Sequence, residues 1–276
     1  MVGDLEPLGL IAGNGIFPRL VADGARDAGV RVVAVAHVGE TDSGIEPLVD
    51  ACTWVRVGEL GKIIKVFRAA GCRQAVMAGG ISKVRLFGGF RPDLRGAAFL
   101  AKTRSFHDDR LLRGIADELE SDGIEVISST AFLPNLLPVA GVLGRKKPRA
   151  RDWEDVRFGR EVARTTGAFE IGQTVIVKRG LVLAIEAVEG TDAAIRRGGE
   201  LGRGGAVVVK ASKPGQDMRL DVPAVGPTTI DLMAEVGAGV LAVEAGRTVL
   251  LERERLLEAA DAAGIVVVAF DPEEEP

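Results

Sequence analysis

Short apolar runs alternate along the chain with longer stretches whose apolar positions recur at helical spacing. In the first half, LGLIAG (8–13), VRVVAVAH (30–37), TWVRVG (53–58), RQAVMAGG (73–80) and IEVISST (124–130) read as strands. Between them lie helical stretches: one from the first glycine turn through Asp27, then ELGKIIKVFRAAG closed by Gly71, then roughly 108–119. Strands separated by helices of this length predict βαβ units and a parallel sheet.

Residues 131–152 break the rhythm with prolines and a basic cluster, and the core of that stretch, 133–152, reads as a linker. A helix near 153–167 opens the second half. TVIVKRGLVLAIEA then gives two alternating runs joined at Lys178-Arg179-Gly180, a hairpin signal. AVVVKAS, VLAVEAGRTVLL and IVVVAF add strands with helices between. The expectation is two α/β domains: a Rossmann-like parallel sheet over 1–132, and a mixed-sheet α/β domain over 153–276. The acidic end DPEEEP reads as a solvated tail.

The bulk numbers narrow the function classes. A chain of 276 residues, 47% hydrophobic and 27% charged, is a globular composition with room for two domains. A formal net charge of -4 argues against a general nucleic-acid binder. The N-terminus lacks a secretory pattern, and no apolar run approaches a bilayer span, so a cytoplasmic enzyme is expected. Cys52 and Cys72 have no metal-ligand spacing and are expected to be reduced. With only His37 and His107 available, any metal would be held by carboxylates, which points to magnesium or manganese.

Candidate chemistry begins at the first strand-to-helix turn, Gly13-Asn14-Gly15-Ile16-Phe17-Pro18. Such a turn lets backbone approach a phosphate at a helix N-terminus, or it is simply a tight turn. A dinucleotide-binding fingerprint is disfavoured. Pro18 stands where a third small residue is wanted, and His37 stands where an acid should hold the ribose, with Glu40 coming late. There is neither a Walker sequence nor a GxSxG elbow. The fourth strand ends Ala78-Gly79-Gly80-Ile81-Ser82-Lys83. With a strand order of 3-2-1-4, the two glycine turns would share one crevice, and Lys83 would be available to a phosphate. Arg85, Arg91 and Arg95, interleaved with Leu86, Phe87 and Phe90, read as a solvated loop or as a surface for an amphiphile.

Acidic residues follow. His107-Asp108-Asp109 opens a helix, where an acid can cap. Glu186, Glu189 and Asp192 sit where a strand becomes a helix and could converge with Asp221 around a divalent cation; Thr191 or Asp192 could also be simply the helix cap. In KASKPGQDMRLDVPAVG (210–226), Arg219 and Asp221 are two apart and would share a face of an extended segment.

Taken together, LGLIAGNGIFP, VGELGKIIK (57–65), VMAGGISK (76–83), DDRLLRGIADELESDGIEV (108–126), IGQTVIVKRGLVLAIEAVEGTDAAIRR (171–197) and KASKPGQDMRLDVPAVGPTTI (210–230) resemble the UDP-2,3-diacylglucosamine pyrophosphatases of the LpxI type. The resemblance runs from about residue 8 to 271. It implies hydrolysis of a lipid-linked UDP-sugar to UMP and 2,3-diacylglucosamine 1-phosphate, by water attack on the α-phosphorus, in lipid A biosynthesis. It further implies a divalent metal, a ligand held between two domains and a homodimer; with no anchor evident, contact with a membrane is expected to be peripheral and transient. The essential segment of that family falls on Gln216, Arg219, Asp221 and Pro223, with Val222 and Ala224 in place of Leu and Thr. On this reading Asp221, Arg219 and Lys213 are catalytic, and Asp221, Glu186 and Asp192 bind the metal. The expected substrate contacts are Gly13, Asn14, Gly15, Gly79, Gly80, Ser82, Lys83, Gln173, Thr191, Lys210 and Gln216. The rival expectations are a nucleotide-sugar sensor without turnover and a nicotinamide-dependent oxidoreductase.

Overall fold

A computed structural model describes residues 6–81, 92–102 and 108–271, the side chains of 108 and 109 apart. The chain divides into two compact units. The first comprises Met1–Pro134 together with Asp217–Asp221, and the second Asn135–Gln216 together with Val222–Pro276.

In the first unit the elements are β1 (Leu8–Ala12), α1 (Phe17–Asp27), β2 (Val32–His37), β3 (Ala51–Val55), α2 (Leu60–Ala70), β4 (Gln74–Ala78), α3 (Leu94–Lys102), α4 (Asp108–Glu120) and β5 (Glu125–Val126). The sheet order is β3-β2-β1-β4-β5, every pair parallel, with Leu10 level with Ala34 on one side and Val76 on the other. Both faces are covered, which is why β1 and β2 are apolar at successive positions instead of alternating. Leu8, Leu10 and Ala12 pack with Val21, Ala22 and Ala25 of α1. On the other face Val33 and Val35 meet Ile63, Ile64 and Phe67 of α2 and Leu119 of α4. Pro18 lies in the first turn of α1, where its missing N–H costs little.

The second unit contains β6 (Gly141–Val142), α5 (Ala150–Ala168), β7 (Thr174–Lys178), β8 (Leu181–Ile185), α6 (Thr191–Gly202), β9 (Val207–Lys210), β10 (Ala224–Val225), α7 (Pro227–Glu235), β11 (Val240–Glu244), β12 (Val249–Leu250), α8 (Arg253–Ala263) and β13 (Val266–Phe270). Its main sheet runs β6-β13-β11-β9-β7-β8 and is mixed: β9, β11 and β13 are parallel, β7 is antiparallel to both neighbours, and β6 is antiparallel to β13. The β7–β8 hairpin turns at Arg179 and Gly180, both at positive φ, as a two-residue hairpin requires. Buried Asp155 of α5 accepts from both of their amides, at 2.8 and 2.7 Å.

Two α/β units with a parallel and a mixed sheet are thus what the hydrophobic pattern predicts. The stretch expected as a linker is partly built into the second unit: Gly141–Val142 pairs with β13, and α5 begins at Ala150. The segment 217–221, expected to stay with the second domain, belongs to the first unit. Leu220 is the reason. It is buried in the same cluster as Leu119, Ile124 and Val126. Among the described residues no helix is long and apolar enough to cross a membrane. Cys52 and Cys72 are free thiols, and burial pushes that of Cys72 up to about 11.

Candidate functional site

Two regions hold most of the residues singled out from sequence. In the first unit, β1 and β4 are neighbours, and the turns after them cross at close range where the strand order reverses. The Asn14 N–H donates to Gly80 O at 2.8 Å, and the Gly13 N–H to Ala78 O at 2.8 Å. The Asn14 side chain completes the junction, its Oδ1 accepting from the Gly80 N–H at 3.2 Å and its Nδ2 donating to Glu40 at 3.1 Å. A Cβ on Gly13 would lie 2.4 Å from Gly80 O, and one on Gly79, at φ +80, would lie 2.3 Å from Asn14 O. The glycines are therefore required by one backbone pressing on another. Gly13, Asn14, Gly15, Gly79 and Gly80 do assemble into one place; Ser82 and Lys83 lie outside the described residues, as do Arg85, Leu86, Phe87, Phe90 and Arg91. Arg95 is tied to Glu118 at 2.8 Å and to Asp122.

His37, which stands where a dinucleotide-binding acid would be, is buried. Its Nδ1–H donates to Ala12 O at 2.9 Å, and Thr41 Oγ1 donates to the same carbonyl at 2.6 Å. Burial, the largest influence, lowers its pKa, partly offset by the Ala12 hydrogen bond and by Glu40. The ring thus fixes the end of β1 through Nδ1–H.

In the second unit, the polar residues gather where β9 ends. Lys210, level with Thr174 of β7 and buried, donates from Nζ to Thr191 Oγ1 at 3.1 Å, and Thr191 donates to Glu186 Oε1 at 2.9 Å. Glu186 Oε2, Thr174 Oγ1 and Gln173 Oε1 are buried without a hydrogen-bond partner among the described residues. Four residues expected at the site, Gln173, Glu186, Thr191 and Lys210, thus come from a strand start, a strand end and a helix start to one end of the sheet. Asp192 stands exposed in the first turn of α6, and Glu189 pairs with Arg197 at 2.6 Å.

The next residues are held one by one. Buried Glu244, at the end of β11, accepts from the Ser212 N–H at 2.6 Å and from Ser212 Oγ at 2.5 Å. Gln216 Oε1 accepts from the Lys213 N–H at 2.8 Å, closing the turn back on itself, and Lys213 Nζ meets Glu170 at 2.8 Å. Glu244 was not among the sequence candidates; its only signal was an acid closing the apolar run VLAVE.

Residues 217–221 then belong to the first unit. They form a turn, with the Leu220 and Asp221 amides both donating to Asp217 O, and are not extended. Asp217, not Asp221, is consequently the partner of Arg219: Nε donates to Oδ1 at 3.1 Å and Nη2 to Oδ2 at 2.8 Å. Nη1 reaches Glu120 Oε1 and Val126 O, each at 3.2 Å. The Arg219 hydrogen bonds hold the Asp217 carboxyl below the usual range, and Asp217 in turn raises the guanidinium. Asp221 is half-buried at the end of this turn.

Among the described residues no group of three or more His, Cys, Asp or Glu side chains could hold a metal ion. Glu186, Asp192 and Asp221, expected as metal ligands, belong to no such cluster.

The family model of the LpxI N-terminal domain matches residues 7–136, and that of the LpxI C-terminal domain residues 139–268. A curated relative, the UDP-2,3-diacylglucosamine pyrophosphatase LpxI of Caulobacter vibrioides, is 38% identical over 285 residues, which covers 99% of this chain and 100% of the relative. Among solved structures, Rhizobium etli pyruvate carboxylase with the allosteric activator acetyl coenzyme-A matches at a TM-score of 0.27 and 12% identity, over 68% of this chain and 17% of that one. So slight a likeness carries no argument.

Proposed function

This chain belongs to the LpxI family, and from that premise we propose that it is a hydrolase cleaving the diphosphate of UDP-2,3-diacylglucosamine in lipid A biosynthesis. The observation that carries the reading is the end-to-end match, at 38% identity, to a relative bearing that activity in its name. The products are UMP and 2,3-diacylglucosamine 1-phosphate, formed by attack of water on the α-phosphorus.

The chemistry asks for cations to offset charge growing on the diphosphate and for a carboxylate to orient water. Lys210 is a buried lysine in the second unit, and Lys213 follows three residues later. Asp221 is the carboxylate we assign to the reaction. The glycine junction at β1 and β4 supports binding of part of the UDP-glucosamine portion, because it lies at the end of a parallel sheet where the strand order reverses.

A divalent cation, magnesium or manganese, is part of the proposal. Since the described residues offer no ready cluster, one or two carboxylates would hold it, with diphosphate and water oxygens completing its shell. Its contribution when bound would be to neutralise charge on the diphosphate. We add to the proposal a homodimer, to be read from light scattering, and peripheral membrane contact, to be read from vesicle flotation.

The test is incubation with UDP-2,3-diacylglucosamine and Mg²⁺ in ¹⁸O-water. UMP should be released carrying the label. Label in the lipid product overturns attack at the α-phosphorus, and no UMP with any divalent ion overturns the activity.

A further inference from the structure

We propose that Arg219 is a positioning residue, not a contact to the substrate: it pins the 217–221 turn, and with it the Asp221 carboxylate, to the first unit through Asp217, Glu120 and the Val126 carbonyl. The inference rests on the reading above that Asp221 serves diphosphate hydrolysis.

Four observations carry it. First, the turn is part of the first unit although the chain on either side of it belongs to the second. Something must hold these five residues in place, and they contain a buried anchor, Leu220. Second, all three guanidinium nitrogens of Arg219 are engaged within that unit: Nε and Nη2 on the two oxygens of Asp217, Nη1 on Glu120 and on Val126 O. A guanidinium held at its fork and its far edge is oriented by protein carboxylates, and a phosphate would have to displace them. Third, two carboxylates, Asp217 and Glu120, already face its single positive charge. Fourth, the Arg219 N–H itself donates to Asp217 Oδ1 at 3.0 Å, so Asp217 ties the main chain as well as the side chain. An isolated surface ion pair contributes little, but a bidentate arginine inside a network is the arrangement that does.

Leu220 and Arg219 therefore divide the task. Leu220 supplies burial. Arg219 supplies direction, because a leucine in an apolar cluster can rotate or slide while a bidentate fork cannot. Two residues after Arg219, Asp221 inherits that direction.

Full-length wild type, Arg219→Lys, Asp217→Asn, Glu120→Gln and the double variant Asp217→Asn/Arg219→Lys are compared by steady-state kinetics on UDP-2,3-diacylglucosamine and by hydrogen exchange of the 217–221 amides. Lysine keeps the charge but not the fork. An anchor predicts that Arg219→Lys lowers kcat on the order of 10- to 100-fold, as misplacement of a reacting group does. KM should stay within about a factor of 3, since ground-state binding is untouched. Asp217→Asn should lower kcat in the same sense, the double variant should add little to either, and exchange at Leu220 and Asp221 should quicken in all, including Glu120→Gln. Near-wild-type kcat with raised KM in Arg219→Lys, together with a silent Asp217→Asn, would assign Arg219 to the substrate and overturn the anchor. Unchanged exchange in Asp217→Asn and Glu120→Gln overturns it whatever the activity. If wild type shows no turnover, the functional reading fails, and the exchange arm still decides the anchor.

Discussion

The glycine junction of the first unit and the 210–221 segment both follow strand ends, yet they are built on opposite plans. At the junction, backbone meets backbone. Gly13 and Gly79 are there because no side chain fits, and Asn14 adds two side-chain hydrogen bonds. In the segment, side chains hold backbone: Glu244 grips Ser212, Gln216 grips Lys213, Asp217 and Glu120 grip Arg219, and Leu220 is buried in a core that the first 134 residues build. The first plan fixes a shape by excluding atoms, and the second by adding partners, some from the same turn and some from distant parts of the chain. A residue change should therefore damage the first sterically and locally, and the second through the loss of one named partner.

The largest expected effect tests the first plan. Gly79→Ala places a Cβ 2.3 Å from Asn14 O at a φ of +80, so strain and overlap act together. We expect a loss of about 3–4 kcal/mol in the first unit. Trp54 lies in the first unit and Trp153 in the second, and the chain has no other tryptophan, so each unit carries its own reporter. Urea unfolding followed by Trp54 in a Trp153→Phe background measures the loss; a change below about 1 kcal/mol, the size of an ordinary glycine substitution, would break the steric account. The Trp153 transition in a Trp54→Phe background should barely move.

A smaller effect tests the second plan. Glu244→Ala leaves the Ser212 amide and hydroxyl buried without their acceptor, and about 2–3 kcal/mol should be lost from the second unit. Glu244→Gln, which keeps an acceptor of the same shape, should recover much of it. Equal losses in the two variants would show that charge, and not hydrogen bonding, fixes the start of the segment. Trp153 reports the transition.

These two plans explain what could be read from sequence. The strand order, the glycine junction and the Lys178-Arg179-Gly180 hairpin were legible because each depends on local pattern: apolar runs, glycines at strand ends, two turn residues between alternating stretches. Lys210 and Glu186 also stood out, as polar residues at the ends of apolar runs, and Thr191 as a polar residue where a helix starts. The partner of Arg219 was not. An extended reading put Asp221 on its face, whereas the Asp217 carbonyl closes a turn that brings Asp217 to it. Nor was the location of 217–221, since Leu220 looks like any apolar residue in a loop and its cluster lies about a hundred residues earlier in the chain. Glu244 was missed for a similar reason: an acid at a strand end advertises nothing until the neighbouring strand places Ser212 against it.

A pH effect, expected to be the weakest, separates the two regions once more. Burial lowers the pKa of His37 in the folded chain below its ordinary value of about 6.5. The unfolded chain therefore takes up this proton first as pH falls. The contribution of neutral His37 to stability is fully present above about 6.5 and is lost as pH drops from there toward the lower folded value, levelling off beneath it. The loss should appear in the Trp54 transition, because His37 and Thr41 together hold the Ala12 carbonyl one residue before Gly13. His37→Gln should flatten that slope below about pH 6.5 while costing some stability at neutral pH, where the ring's hydrogen bond is lost. An equal slope in the variant would place the titration elsewhere than at the His37 ring that holds the Ala12 carbonyl.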